Sequence, residues 1–316
     1  MINKKVKLAI AVFSIAILSL GIFTYRTIQH TGTATDTKDD FPFIKSDDKK
    51  TYTEQEAVLP RLHEARKLPA PAEVTQDVFS KDTEIKKLIK RLSSEDISVS
   101  RKAAAELVKS GHDSTQALLE ALPKASVFLK GQIIFILGRI KDKNATPQLA
   151  QLLKNDNAYI RRNAAEALGK IKDESVIYDL SNSLLDDDIS VRERSAWALG
   201  EIKDRSAAQP LMSRIKEEDE ERVKLALVNA LGKIKDKRAT FVLIEELKSK
   251  NDQLYKNELV FVLGEIGDSK TLSELGGYVE NLKESEPTEP IAIFEWKQAI
   301  KIAEEAMQKI KEQEDM

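Results

Sequence analysis

Five short segments of this chain are near copies of one another: Ile136 to Asp142, Ala167 to Asp173, Ala198 to Asp204, Ala230 to Asp236 and Val262 to Asp268. Each runs apolar residue, Leu, Gly, a charged residue, Ile, then Lys-Asp or, in the last, Gly-Asp. The glycines Gly138, Gly169, Gly200, Gly232 and Gly264 are 31, 31, 32 and 32 residues apart. That interval holds two helices and two turns, the period of stacked repeat architectures. A single two-helix unit cannot bury its own apolar face, so the repeat demands that each unit complete the interior of its neighbour.

Within a unit, the pattern predicts a first helix such as Pro147 to Leu153 with Thr146 as N-cap, and a longer second helix such as Ala158 to Ile171. Between them lie polar turns, Lys154 to Asn157 and Asp186 to Asp188, whose side chains compete with helical backbone bonding. In the second helix, Val191, Ser195, Ala196, Ala198, Leu199 and Ile202 fall on one stripe. Composition agrees with an all-α reading. Charged residues make up 32% and aromatics 6%, with 12 Gly and 9 Pro in 316 residues, which suits solvated helices better than a turn-rich β architecture.

Val191-Arg192, Ala196, Ala198-Leu199-Gly200 and Ile202-Lys203-Asp204 resemble the HEAT-like repeats of the phycobilisome lyase type. The resemblance fits residues 143 to 268 well, 82 to 142 loosely, and the last pair as a degenerate cap. It implies an α-α superhelix, a HEAT or armadillo-type solenoid of about seven helix pairs over residues 81–316. It implies little about function, because the repeat recurs in lyases, hydroxylases, scaffolds and adaptors. The first unit, with Leu107-Val108-Lys109 in place of the Leu-Gly pair, and the last, ending in Lys309 to Met316, read as solvent-facing terminal units.

Ahead of the repeats, Lys4, Lys5 and Lys7 precede an uncharged run from Leu8 to Tyr25. As a helix it would span roughly 27 Å, close to the thickness of a bilayer core. The basic flank and the acidic Asp36, Asp39 and Asp40 beyond it orient such a helix N-in, with the array outside the cytoplasmic membrane, periplasmic or at the cell surface. Residues 1–30 are read as a signal anchor or transmembrane helix. A cleaved signal peptide with a secreted product is the alternative, since Ser19-Leu20-Gly21 and Gly32-Thr33-Ala34 both offer small residues for cleavage. Residues 31–80, with Pro42, Pro60, Pro69 and Pro71, read as a linker in which Phe41 to Ile44 is the one apolar knot.

Two columns recur beside the glycines. Eight residues before them stand the bases Lys130, Arg161, Arg192, Lys224 and Lys256. They are either an anion-binding ladder or a structural one paired with turn acids such as Asp156, Asp187 and Asp219, and the acids recurring in step favour the structural role. Three residues before the glycines stand Phe135, Glu166, Trp197, Asn229 and Phe261. Solenoids hold packing positions constant and vary those that meet a partner, so this column, flanked by Arg162 and Arg194, is the candidate concave recognition surface. Packing of Trp197 and Phe261 against an adjacent helix is the competing explanation.

No catalytic residue can be nominated from phosphate-loop, nucleophile-elbow or zinc-helix motifs. With no cysteine and only His30, His63 and His112, neither a metal site nor the dinuclear iron of a deoxyhypusine hydroxylase is expected, and no cofactor is expected either. A formal charge of -2 argues against a nucleic acid partner. The reading is therefore a membrane-tethered, non-catalytic scaffold or adaptor that binds a protein on its concave face. The alternatives are a lyase-like or oxidoreductase-accessory protein acting on a small ligand, and a purely structural envelope protein.

Overall fold

The computed structural model describes residues 76–249 and 253–315. The expected transmembrane helix, the Phe41 to Ile44 knot and most of the expected linker lie outside these residues. Among the described residues every element is helical. The α-helices are α1 Gln76–Leu92, α2 Ile97–Ser110, α3 His112–Ala121, α4 Val127–Ile140, α5 Thr146–Leu152, α6 Ala158–Ile171 and α7 Ile177–Ser183. They continue as α8 Ile189–Ile202, α9 Ala208–Glu217, α10 Glu221–Ile234, α11 Thr240–Lys248, α12 Gln253–Ile266, α13 Leu272–Glu284 and α14 Pro290–Glu314. They form seven consecutive pairs, odd-numbered first helix and even-numbered second helix. The first pair starts inside the stretch expected to be linker, because no proline after Pro71 interrupts α1.

Each position of the repeated heptapeptide has a distinct task. The Leu carbonyl closes the second helix: it accepts from the N–H of the Lys at the sixth position of the motif, as in Lys172 to Leu168 at 3.0 Å and Lys235 to Leu231 at 3.0 Å. To do so that Lys adopts the left-handed conformation, with φ of 61°, 60°, 63° and 56° at Lys141, Lys172, Lys203 and Lys235. Gly267 takes the same place at φ 67°, which explains the single Gly-Asp variant of the motif. The Asp that follows then caps a short 3-10 turn leading into the next first helix. Asp142, Asp173, Asp204, Asp236 and Asp268 accept from the N–H two residues on at 3.0, 3.1, 2.7, 2.9 and 3.2 Å. Asp142, rather than Thr146, is thus the cap of the third pair, and Thr146 already lies inside α5 with its 3-10 turn, Lys143–Ala145, ahead of it.

The glycine itself sets the spacing of the second-helix layer. A Cβ on Gly200 would sit 2.8 Å from Ala230 Cα, and one on Gly138 would sit 2.9 Å from Ala167 Cα. The same approach recurs for Gly169 on Ala198 and Gly232 on Val262. Gly264 meets Ala306 in the same way, which places Gln308 of α14 at the glycine position of the seventh unit. Leu168, Leu199, Leu231 and Leu263 are fully buried between the two layers, as are Leu149, Leu180, Leu211 and Leu243 from the first helices. The apolar seam is therefore continuous from unit to unit.

Candidate functional site

The basic column lies at the first turn of each second helix. In that position a long side chain leans back toward the helix N-terminus and so reaches the inter-helix turns. Arg161 takes the carbonyls of Asn155 and Asp156 in its own turn at 2.8 and 3.0 Å, and forks onto the Asp186 carboxylate of the next unit with two bonds of 2.7 Å. Arg192 repeats this one unit later, on the carbonyls of Asp186 and Asp187 at 2.8 and 3.1 Å and on the Glu218 carboxylate at 2.8 and 3.1 Å. Lys224 approaches Glu246 at 3.4 Å, and the Tyr255 hydroxyl donates to the same carboxylate at 3.2 Å. Lys130 and Lys256 form no ion pair among the described residues.

The acids that complete the column are thus not Asp156, Asp187 and Asp219. Asp156 and Asp187 meet the arginines of their own turns through their carbonyls, and the carboxylates that accept the guanidinium forks stand in the following unit, because each fork bridges the step between stacked turns. Glu218 is the most enclosed of them, its side chain 1% exposed, and it also accepts from Arg214 at 2.8 Å and from the N–H of Glu220 at 3.0 Å. Burial opposes its charge, but the two guanidinium groups and the N–H outweigh it and hold its pKa down to about 2.

Phe135, Glu166, Trp197, Asn229 and Phe261 occupy equivalent places on α4, α6, α8, α10 and α12, and all five are half-buried rather than turned out to solvent. The close glycine contact brings the adjoining second helix over this column. Trp197 leans on the preceding unit, its Cζ3 lying 2.7 Å from where a Cβ on Gly169 would be. Lys170 Nζ lies 5.1 Å above the centre of the Phe135 ring and 2.8 Å from the Glu166 carboxylate, and Arg194 Nε is 3.9 Å from that carboxylate. Burial raises the Glu166 pKa, but Lys170, Arg194 and Arg162 more than reverse this and leave it below the ordinary value. Asn229 donates to the Leu225 carbonyl at 2.9 Å, and Arg162 stacks 5.2 Å from the centre of the Tyr159 ring. Phe135, Lys170, Glu166 and Arg194 are therefore linked across α4, α6 and α8, with Arg162 close enough to act on Glu166 and Trp197 seated separately against Gly169.

Sequence reasoning missed a second set of ties on this layer. One residue after the glycine the chain reads Arg139, Lys170, Glu201, Lys233, Glu265, alternating in sign from Lys170 on. Glu201 accepts from Lys172 and Lys233 at 2.8 and 2.7 Å. Glu265 likewise takes Lys235 at 3.0 Å and Lys309 from α14. Each glutamate thereby links three successive units. The alternation was readable in the sequence, but the place of Lys309 was not, since its unit has no glycine to mark the frame.

Among the described residues no three His, Cys, Asp or Glu side chains converge to hold a metal ion, and no helix is long and apolar enough to cross a membrane.

A family model for HEAT repeats matches residues 115–190 and 180–264. No curated protein matches the chain. Of solved structures, importin beta aligns with a TM-score of 0.56 at 14% identity, covering 74% of this chain and 40% of that one. The complex of CpcE and CpcF of phycocyanin lyase from Nostoc sp. aligns at 0.42 and 20% identity over 77% and 99% of the two chains. Human deoxyhypusine hydroxylase aligns at 0.34 and 17% identity over 72% and 98%. The stacked helix pairs are a HEAT- and armadillo-like helical solenoid, with HEAT repeats matched across residues 115–264.

Proposed function

We propose that this solenoid is a non-catalytic scaffold that holds a protein partner along its second-helix layer, tethered outside the cytoplasmic membrane by the uncharged run from Leu8 to Tyr25. One observation carries the reading. A rigid, repeated frame presents Phe, Glu, Trp, Asn and Phe at one and the same place on five successive helices, beside the cations Arg162 and Arg194. Packing alone would favour the same residue at each, as it does at the Leu before the glycine. Half-buried aromatics beside arginines are the composition of an interface centre, where a rigid side chain gains contact at small entropic cost. The tether is supported by the charge asymmetry around the apolar run, with lysines before it and aspartates after it.

The test is crosslinking and affinity capture from intact membranes, with protease shaving to fix the side on which the array lies. Replacing Arg194, Trp197 and Phe261 together by alanine is expected to abolish capture. Because Trp197 also packs on Gly169, the double variant Arg162→Glu/Arg194→Glu gives a second reading that leaves that packing in place. Capture of the same partners by both variants would overturn the second-helix assignment, and an array shielded from protease in spheroplasts stripped of outer membrane and wall, but not in lysed ones, would overturn the exported location.

A further inference from the structure

The first-helix layer carries a feature that the second-helix reading does not use. Tyr178 and Leu185 are 76% and 66% exposed, among the most exposed large apolar side chains of the described residues, and both face one groove. The groove, about 620 Å³, runs between α7 and α9, with Ile177 and Pro210 also lining it. It is open for a reason seen in the helices. The second helices close up through glycine contacts, while α7 stops after seven residues where α9 runs for ten, so Leu184 and Leu185 are left in the turn beside the longer neighbour.

The charges of the groove are one-sided. Arg214 is the only cation among its lining residues, and it is committed to the buried Glu218 at 2.8 Å. Glu174 and Glu217 are exposed and form no ion pair among the described residues. Glu174 begins the 3-10 turn before α7 and Glu217 ends α9, so the two acids stand at opposite ends of a groove about as long as the ten-residue helix, roughly 15 Å. An extended segment of about five residues covers that distance.

We propose that this groove binds a basic peptide segment of a protein partner. An apolar side chain sits between Tyr178 and Leu185, and lysine or arginine on either side meets Glu174 and Glu217. Apolar burial supplies the anchor and the two carboxylates supply the choice of sign.

The test uses the full chain and a fluorescein-labelled peptide whose central leucine is flanked on both sides by lysine, with a counterpart carrying glutamate for lysine. The lysine probe is expected to bind, to weaken as salt rises, and to exceed the glutamate probe at least tenfold in affinity. Tyr178→Ser/Leu185→Ser, at sites too exposed to unfold the array, should lose the probe at least tenfold. Glu174→Lys/Glu217→Lys should invert the preference, and Phe241→Ser, 67% exposed outside the groove, should change nothing. Equal affinity for the two probes, or unchanged binding by the serine double variant, would overturn the proposal. So would a photocrosslinker at position 178 that captures residues 1–75 of the same chain or a second copy instead of the lysine probe, since the groove would then have another occupant.

Discussion

The glycine column makes a prediction in which the same substitution has opposite signs at two sites. Gly200 and Gly277 both lie inside helices, where alanine is favoured over glycine by about 1 kcal/mol. At Gly277 a new Cβ meets nothing within 4 Å, so Gly277→Ala should stabilise the array by about 0.5–1 kcal/mol. At Gly200 the Cβ would sit 2.8 Å from Ala230 Cα and 3.0 Å from Ala230 Cβ. Ordinary carbon contacts lie near 3.5–4.0 Å, so α8 and α10 must part by most of an ångström. Overpacking of this kind costs about 1–3 kcal/mol, which exceeds the propensity gain and leaves Gly200→Ala about 1 kcal/mol less stable than wild type. Urea unfolding followed by circular dichroism gives the sign. Hydrogen exchange should show the lost protection in α8 and α10 and not in α13, because stability in a stacked array is a nearest-neighbour property. If Gly200→Ala stabilises as much as Gly277→Ala does, the second helices are not in contact through this column.

Three further outcomes follow from named contacts. Glu218 has a folded-state pKa of about 2 against 4.5 for an ordinary glutamate, so its contribution is complete above 4.5 and is lost as pH falls toward 2. That contribution is on the order of 3 kcal/mol, and Glu218→Gln should flatten the fall of the urea midpoint between pH 5 and 2.5 relative to wild type; parallel curves would contradict it. Glu201→Lys places three lysines where Lys172 and Lys233 now share a carboxylate; it should cost about 1–2 kcal/mol at low salt and less at high salt, read by thermal unfolding at both. Asp204→Ala removes the cap on the Ser206 N–H and should cost about 1 kcal/mol, with faster exchange confined to the turn before α9.

Much of this architecture is written locally in the chain. The heptapeptide can be read residue by residue, since Leu and Lys act on their own helix and Asp on the turn directly after it, and α6 spans the residues expected of it. What could not be read depends on the offset between units. The partners of Arg161 and Arg192 belong to the following turn, and the step from one unit to the next is not contained in the period of either. The same offset governs Trp197: α8 alone leaves open whether the ring meets a partner or an adjacent helix, and the preceding helix with its bare glycine meets it. The last pair was legible only as a degenerate cap, because Gln308 stands where the other five carry glycine, so the register of α14 is visible only from the contact with Ala306. The groove beside Tyr178 arises from the shortness of α7, which a polar turn sequence alone does not set.

The chain contains no cysteine, which permits a direct test of the stacking register through to the C-terminus. Cysteine at position 264 would be combined in turn with cysteine at 302, 306 or 310, and the reduced proteins exposed to mild oxidant. A Cβ at 264 would lie 2.9 Å from Ala306 Cβ, about 1 Å inside the spacing a disulfide prefers, so the small parting of α12 and α14 that a side chain there forces brings the pair to bonding distance, whereas the other two positions are a helical turn away. The 264–306 pair is expected to crosslink fastest and nearly completely, and crosslinking that favoured 302 or 310 would show that α14 does not continue the repeat.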